Sequence, residues 1–345
     1  MVFPRAVLVG HGVLDELAKF CRGFDFAPVG GIITGSRTAS LAGGRAAEIL
    51  TDAGFSMSSF PAGEATMAEV DRVQKEVEAA GARFLIAVGG GSKIDIAKVV
   101  ASRRKIPFVS VPTSAAHDGI SSPRASIRGT EKVSSVEAVV PVGVLADTSV
   151  IVQAPFRLLA SGCADVLSNV TAVLDWKLAA RLRNEEYSST GATLAEYAAQ
   201  EISEHAALIK PNLEESVWIA IRPMIVAGIA MSVAGSSRPC SGSEHLFSHA
   251  LDRVAGRPSL HGEQCGVGAI MMMYLHGGDW RKLRMSLHTV GAPTTARELG
   301  LSPEEVVSAL VAAHAVRPDR YTILGDNGLS QEAAERLANV TGVIG

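Results

Sequence analysis

From the N-terminus to about residue 150, short apolar runs alternate with stretches whose apolar residues recur at helical spacing. Ala6–Val9 reads as a strand ended by Gly10, with a helix over Val13–Phe20 after it. Gly31–Thr34 is a second strand, closed by Gly35-Ser36-Arg37 and followed by an Ala/Gly-rich helix. Phe55–Phe60 reads as a third strand and Glu64–Gly81 as a helix. Phe84–Val88 is a continuous apolar run of strand length that meets three glycines; Ile94–Arg103 is then helical and Pro107–Val111 a strand again. Strands and helices alternating at these lengths predict βαβ units and a parallel sheet.

The pattern changes at Val150–Pro155. Beyond it no strand is predicted, and helical periodicity dominates over Asp165–Arg183, Gly191–Ile209, Glu214–Ala234, Glu244–Val254, Ser302–Ala315 and Gln331–Val340. The expected fold is an α/β, Rossmann-like parallel-sheet domain over residues 1–152 followed by an all-α domain over 153–345, with the active-site cleft between them. A length of 345 residues also favours two cores over one.

Composition narrows the function classes. Apolar residues make up 47% of the chain, but the longest apolar stretch, Ile221–Val233, is interrupted by Arg222, Pro223, Gly228 and Ser232, so it reads as a buried helix and no membrane insertion is expected. The start lacks a basic segment followed by a long apolar one, so no secretory signal is expected. Cys21, Cys163, Cys240 and Cys265 are scattered, with no CxxC pair, which suits a reducing cytoplasm. The net charge of −3 without a Lys/Arg block predicts no nucleic-acid partner.

Three loops carry candidate chemistry. The Phe84–Val88 strand runs into Gly89-Gly90-Gly91-Ser92-Lys93-Ile94-Asp95 and then a helix. Glycines let the backbone approach a pyrophosphate, and the N–H groups at a helix start attract its charge. The competing reading is a plain tight turn. In a dinucleotide site the end of the second strand meets the adenosine ribose; Arg37 stands there in place of an acid, which favours acceptance of NADP(H). Arg37 as a solvated loop residue is the alternative. The third loop, Pro112–Pro123, is dense in hydroxyls at the C-terminal end of a strand. Thr113, Ser114 and Ser122 suit phosphate or carboxamide binding and Asp118 suits substrate hydroxyls, although an ordinary Ser/Thr/Gly turn cluster would look the same.

The helical half offers a metal set. Asp165 lies at what reads as the start of a helical run. His245 and His249, four apart, share a helix face, and His261 follows. One carboxylate with two or three imidazoles suits Zn²⁺ with a coordination position left open for substrate. His11, His117, His205, His276, His288 and His314 show no comparable grouping and read as structural or exposed.

With these segments assembled, the chain resembles the superfamily of iron-containing alcohol dehydrogenases, glycerol dehydrogenases and dehydroquinate synthases, and within it the archaeal sn-glycerol-1-phosphate dehydrogenases. The resemblance rests on GGGSKIDIAK (89–98), VPTSAAHDGISSP (111–123), SGCADVLSN (161–169), GSEHLFSHALD (242–252) and HGEQCGVG (261–268), which span the chain in order. It implies reduction of dihydroxyacetone phosphate by NADPH or NADH to sn-glycerol 1-phosphate, the backbone of archaeal ether lipids. It implies one zinc per subunit on Asp165, His245 and His261. Asp118, Asp165 and His249 would face the substrate as catalytic residues, and Gly91–Asp95, Thr113–Ala116 and Ser122 would contact the dinucleotide. It also implies a homo-oligomer. Iron-dependent members carry a further ligand, a His, four residues after the Asp; here that place is Asn169, which favours three-ligand zinc. A glycerol dehydrogenase acting on the free polyol and a dehydroquinate-synthase-like lyase are the competing enzymes. A nucleotide sensor with a structural zinc is disfavoured, because the set lacks four-ligand closure.

Overall fold

The computed structural model describes residues 2–128, 133–256 and 259–345. Six strands form one parallel sheet: β1 (Ala6–Gly10), β2 (Val29–Thr34), β3 (Ser56–Pro61), β4 (Leu85–Gly89), β5 (Phe108–Pro112) and β8 (Gly143–Asp147), in the order β1-β8-β5-β4-β2-β3. β4, β5 and β8 are buried along their whole length, which is why β4 and β5 read as strands of continuous apolar character. Register brings the predicted loops together. Gly89 pairs with Pro112 and Thr34 with Val88, so the segments starting at Gly35, Gly90 and Thr113 leave the same edge of the sheet side by side. That carboxyl edge is where open α/β sheets bind ligands.

Three strands depart from expectation. β8 lies between β1 and β5, but Pro141 and Gly143 interrupt its apolar run and disguise it as a turn. β6 (Arg124–Arg128) and β7 (Val133–Glu137) form a separate antiparallel hairpin. Its signal is an alternation: Ala125 and Ile127 are buried between Arg124 and Ser126, and they join the apolar cluster that contains Ile94 and Ala97 of the Gly91–Arg104 helix.

After β8 every element among the described residues is helical. The expected helix over Asp165–Arg183 is two, Phe156–Leu167 and Asn169–Arg183, joined at Ser168, whose hydroxyl donates to the Asp165 carbonyl at 2.7 Å. Asp165 therefore sits in the last turn of the first helix and does not open the second. Two further helices, His261–Leu275 and Trp280–Thr289, were not expected. Gly262, Gly266 and Gly268 weaken the helical pattern of the first, yet Gly262 is there for contact: a Cβ on it would lie 2.0 Å from the Ser161 carbonyl oxygen. The two helix starts are also tied by a bidentate pair, Arg157 to Glu263, at 2.6 and 2.7 Å.

By length and composition, Phe156–Arg183 and Glu214–Ala234 could cross a membrane. Both are core helices, with 83% and 61% of the relevant windows buried inside the protein. The largest apolar cluster runs from these helices to Val144 and Ala146 of β8 and to Ala115 and Ile120 of the polar loop.

One buried carboxylate fixes the helix that carries the histidine pair. Asp175 Oδ2 accepts from the Ser243 backbone N–H and hydroxyl, both at 2.6 Å, and so caps the Ser243–Val254 helix. Its Oδ1 accepts from the Ile323 N–H at 2.7 Å and faces His276 Nε2 at 3.0 Å. His276 is thus structural, as expected. Asp175→Ala leaves these donors buried without an acceptor. It is expected to lower the unfolding free energy by about 3 kcal/mol or more, read as a shift of the denaturation midpoint in urea; a shift within about 0.5 kcal/mol would contradict this role.

Candidate active site

Asp165 is 2% exposed and its two oxygens have different surroundings. Oδ2 accepts from the Asp118 N–H at 3.1 Å, which joins the Phe156–Leu167 helix to the polar loop after β5. Among the described residues Oδ1, which is buried, has no hydrogen-bond partner. Into that gap point His245 Nε2, at 3.8 Å, and His261 Nε2, at 3.9 Å. A tetrahedral zinc with bonds of about 2.1 Å would hold such atoms about 3.4 Å apart, so a small inward adjustment closes the set. An orphaned carboxylate oxygen beside two imidazole nitrogens is the donor set of a divalent cation, and the residues fit one zinc with a coordination position left open.

The sequence reading missed two residues around this set. Glu244 is fully buried; its Oε1 lies 2.9 Å from His245 Nδ1 and accepts from the Gly242 N–H at 2.6 Å, while Oε2 accepts from the Thr171 hydroxyl at 2.8 Å. A carboxylate on Nδ1 fixes the ring orientation and leaves Nε2 as the ligand atom. Its only sequence signal was adjacency to His245. Cys265, one turn after His261, has its Sγ 3.6 Å from His261 Nε2, and its sulfur and the three donor atoms all lie within 4.8 Å of one another. No pairing motif marks it.

Electrostatics follow from burial. Desolvation, then the charges of His261 and Arg320, hold His245 well below the usual histidine range, in the neutral form that ligates. Asp118 and Asp165 are both raised, Asp118 by burial and by the charge of Asp165, Asp165 by burial first. A dication at Asp165 would reverse that direction.

Two cavities meet at this point. The inner one, about 300 Å³, is lined by Asp118, Asp165, His245, His249 and His261, with Asp95 and Ser122. The outer one, about 850 Å³, is lined by Arg37, Gly90, Gly91, Ser92, Lys93, Thr113, Ser114 and Ala116. Gly91, Ser92, His117, His249 and His261 belong to both, so one opens onto the other. The structure therefore brings together the metal set, the two further catalytic candidates and most of the cofactor candidates. Gly89, Ile94 and Ala115 line neither cavity. Gly89 ends β4, while the Ile94 and Ala115 side chains are core residues, 1% exposed each. Asp95 is held internally: its oxygens face Lys98 Nζ at 3.2 Å and accept from the Ser126 N–H at 3.0 Å. Lys98, fully buried, also donates to the Arg124 carbonyl at 2.6 Å, tying the hairpin to the glycine-loop helix.

His117, expected to be structural or exposed, stands on the wall between the cavities. Its Nδ1 accepts from the Gly119 N–H at 2.9 Å, and burial lowers its pKa to about 4, so the ring is neutral. Its Nε2 lies 1.9 Å from where a Cβ on Gly91 would be, so only glycine fits beneath the ring. The N-cap Gly90 has no side-chain cap, and Gly90, Gly91, Ser92 and Lys93 at the start of the 14-residue Gly91–Arg104 helix line the outer cavity.

Comparison with known proteins agrees with this geometry. Residues 8–155 match the family model described as iron-containing alcohol dehydrogenase. The chain is 52% identical over 344 residues to the glycerol-1-phosphate dehydrogenase [NAD(P)+] of Methanosarcina acetivorans, covering 100% of this chain and 96% of that protein. It is 53% identical over 341 residues to the Methanothermobacter thermautotrophicus protein of the same name, covering 99% and 98%. Among solved structures, glycerol dehydrogenase from Schizosaccharomyces pombe superposes with a TM-score of 0.82 at 18% identity, covering 99% of this chain and 89% of that one. An NADH-dependent butanol dehydrogenase from Thermotoga maritima gives 0.75 at 16%, covering 99% and 98%; at such identities the likeness is one of fold. Identity above half over the full length, with the fold in common, places the chain in the glycerol-1-phosphate dehydrogenase family of the iron-containing alcohol dehydrogenase superfamily.

Proposed function

We propose that the protein reduces dihydroxyacetone phosphate to sn-glycerol 1-phosphate with NADPH or NADH, using one zinc on Asp165, His245 and His261. The observation that carries the reading is the orphaned Asp165 Oδ1, set between two imidazole nitrogens where a cofactor-sized cleft opens onto a small polar cavity. The relatives' activity, glycerol-1-phosphate dehydrogenase, points to the substrate.

When bound, zinc supplies Lewis-acid polarisation of the ketone oxygen. The chain's own groups do the rest. Gly90–Lys93, Thr113, Ser114 and Ala116 hold the dinucleotide along the outer cavity, and Arg37 meets the adenosine ribose and admits a 2′-phosphate. Gly91 and His117 let the nicotinamide approach the inner cavity, which fixes the face of C2 that receives hydride. Asp118 accepts from a substrate hydroxyl. His249 stacks against His261, with ring centroids 5.8 Å apart, on the wall shared by both cavities. It is the group placed to deliver the proton to the substrate oxygen.

In this reading residues 1–152 form the dinucleotide domain and 153–345 the metal- and substrate-binding domain. The enzyme is a cytoplasmic homo-oligomer that inserts in no membrane and binds no nucleic acid. The four buried free cysteines and the absence of a basic block support the compartment and the lack of a nucleic-acid partner.

NADPH consumption at 340 nm should be fast with dihydroxyacetone phosphate and slow with free dihydroxyacetone, and chiral analysis should find the sn-1 enantiomer. Turnover of the free ketone alone would make the enzyme a glycerol dehydrogenase. His261→Ala should lose turnover and bound zinc together; an active, metal-free variant contradicts the ligand assignment. Glu244→Gln should retain the fold and weaken zinc affinity by roughly 10- to 100-fold, measured by competition with a chelator; wild-type affinity would remove Glu244 from the site.

A further inference from the structure

Of the two imidazoles in the metal set, His245 has a carboxylate directly behind its ring, Glu244 on Nδ1. Behind His261 stands a hydroxyl: Ser248 Oγ lies 3.0 Å from Nδ1. A hydroxyl can donate or accept, so alone it does not choose which ring nitrogen carries the proton. Cys265 does not choose either, since its Sγ is 3.6 Å from Nε2 and 3.9 Å from Nδ1.

The choice is made further along a chain of hydrogen bonds. Ser248 Oγ lies 2.7 Å from Gln264 Oε1, and Gln264 Nε2 lies 3.4 Å from Asp252 Oδ1. The chain crosses between two helices at each step. Ser248 and Asp252 are one turn apart on Ser243–Val254, and His261 and Gln264 one turn apart on His261–Leu275. Ser248 and Gln264 are buried, so water does not compete for these bonds. Asp252 is a carboxylate, which only accepts. The nitrogen of the Gln264 amide therefore faces it, because the reverse setting brings two acceptors together with no proton between them. That setting turns Gln264 Oε1, another acceptor, onto Ser248. The one Ser248 hydroxyl proton is then used on Gln264, and its oxygen is left to accept from His261. His261 carries its proton on Nδ1, and Nε2 keeps the lone pair that faces Asp165 Oδ1 at 3.9 Å. The opposite tautomer would aim an N–H at the metal position and could not ligate.

We propose that Asp252, acting through Gln264 and Ser248, is a positioning residue that sets the tautomer of His261 and with it the affinity of the site for zinc. This rests on the zinc reading of the preceding subsection. Each imidazole ligand then has a carboxylate behind its Nδ1, in direct contact for His245 and two side chains removed for His261. Asp252 also lines the outer cavity, so the chain starts in one cavity and ends at the metal set of the other.

The test uses the full-length enzyme. Zinc affinity is read by competition with a chelator, and the protonation of the ring nitrogens by nitrogen-15 NMR of the metal-free protein; the spectrum of His261→Gln identifies the His261 signals. In the wild type these should be the signals of a ring with its proton on Nδ1. Ser248→Ala should weaken zinc binding by roughly 10- to 100-fold and mix the two ring forms. Gln264→Leu, a side chain of similar size, frees the Ser248 hydroxyl to donate to Nδ1; it should move the His261 proton to Nε2 and weaken zinc binding at least as much. Gln264→Glu still presents an acceptor to Ser248 and should keep both the ring form and the affinity of the wild type. Asp252→Ala lets the Gln264 amide turn over and should weaken zinc binding by about 10-fold. A wild-type His261 protonated on Nε2 overturns the proposal whatever the variants do. Equal loss of affinity in Gln264→Leu and Gln264→Glu also overturns it, since packing alone would then be at work. So does wild-type affinity in both Ser248→Ala and Gln264→Leu. A wild type that binds no zinc overturns the metal reading and this role together.

Discussion

The site depends on one carboxylate buried under constraint. Asp165 spends one oxygen on the backbone of the polar loop after β5 and leaves the other without a hydrogen bond, facing two imidazole nitrogens. A buried carboxylate oxygen with no donor is costly, and the arrangement is stable only if something positive fills the gap. Much of the surrounding packing serves to hold that gap open. Gly262 brings the His261–Leu275 helix against Ser161, the Arg157–Glu263 fork ties the two helix starts, and Asp175 caps the helix that carries His245. Loosening any of these moves an imidazole away from the carboxylate.

The same cavity is lined by the carboxylates Asp118 and Asp165 and by His245, His249 and His261, together with Arg124 and Ser126 of the hairpin and Ser237 and Ser241 near residue 240. The sheet contributes the third component, the parallel register that sets the glycine loop beside the polar loop. His117 and Gly91 join these parts, since the imidazole can stand between the cavities only because residue 91 has no side chain.

Much of this was legible in the sequence. Continuous apolar runs gave β4 and β5 because both strands are buried on two faces, and the helical period gave most of the second half. The metal candidates were legible because Asp165, His245 and His261 are short-range patterns: an HxxxH pair, a nearby His and an acid on an apolar helix. β8 was hidden by Pro141 and Gly143, and the His261–Leu275 helix by glycines whose purpose is contact with Ser161. His117, Glu244 and Cys265 were missed because their roles depend on what packs against them. Ile94 and Ala115 belong to the segments that the resemblance assigns to the dinucleotide, and their side chains are buried in the core. Arg37 and Ser92 line the outer cavity.

The most direct test is anomalous scattering at the zinc edge from crystals of the purified enzyme. The account predicts a single peak per chain, within about 2.0 to 2.2 Å of Asp165 Oδ1, His245 Nε2 and His261 Nε2. An active enzyme with no peak there, or with its metal bound elsewhere, would contradict it.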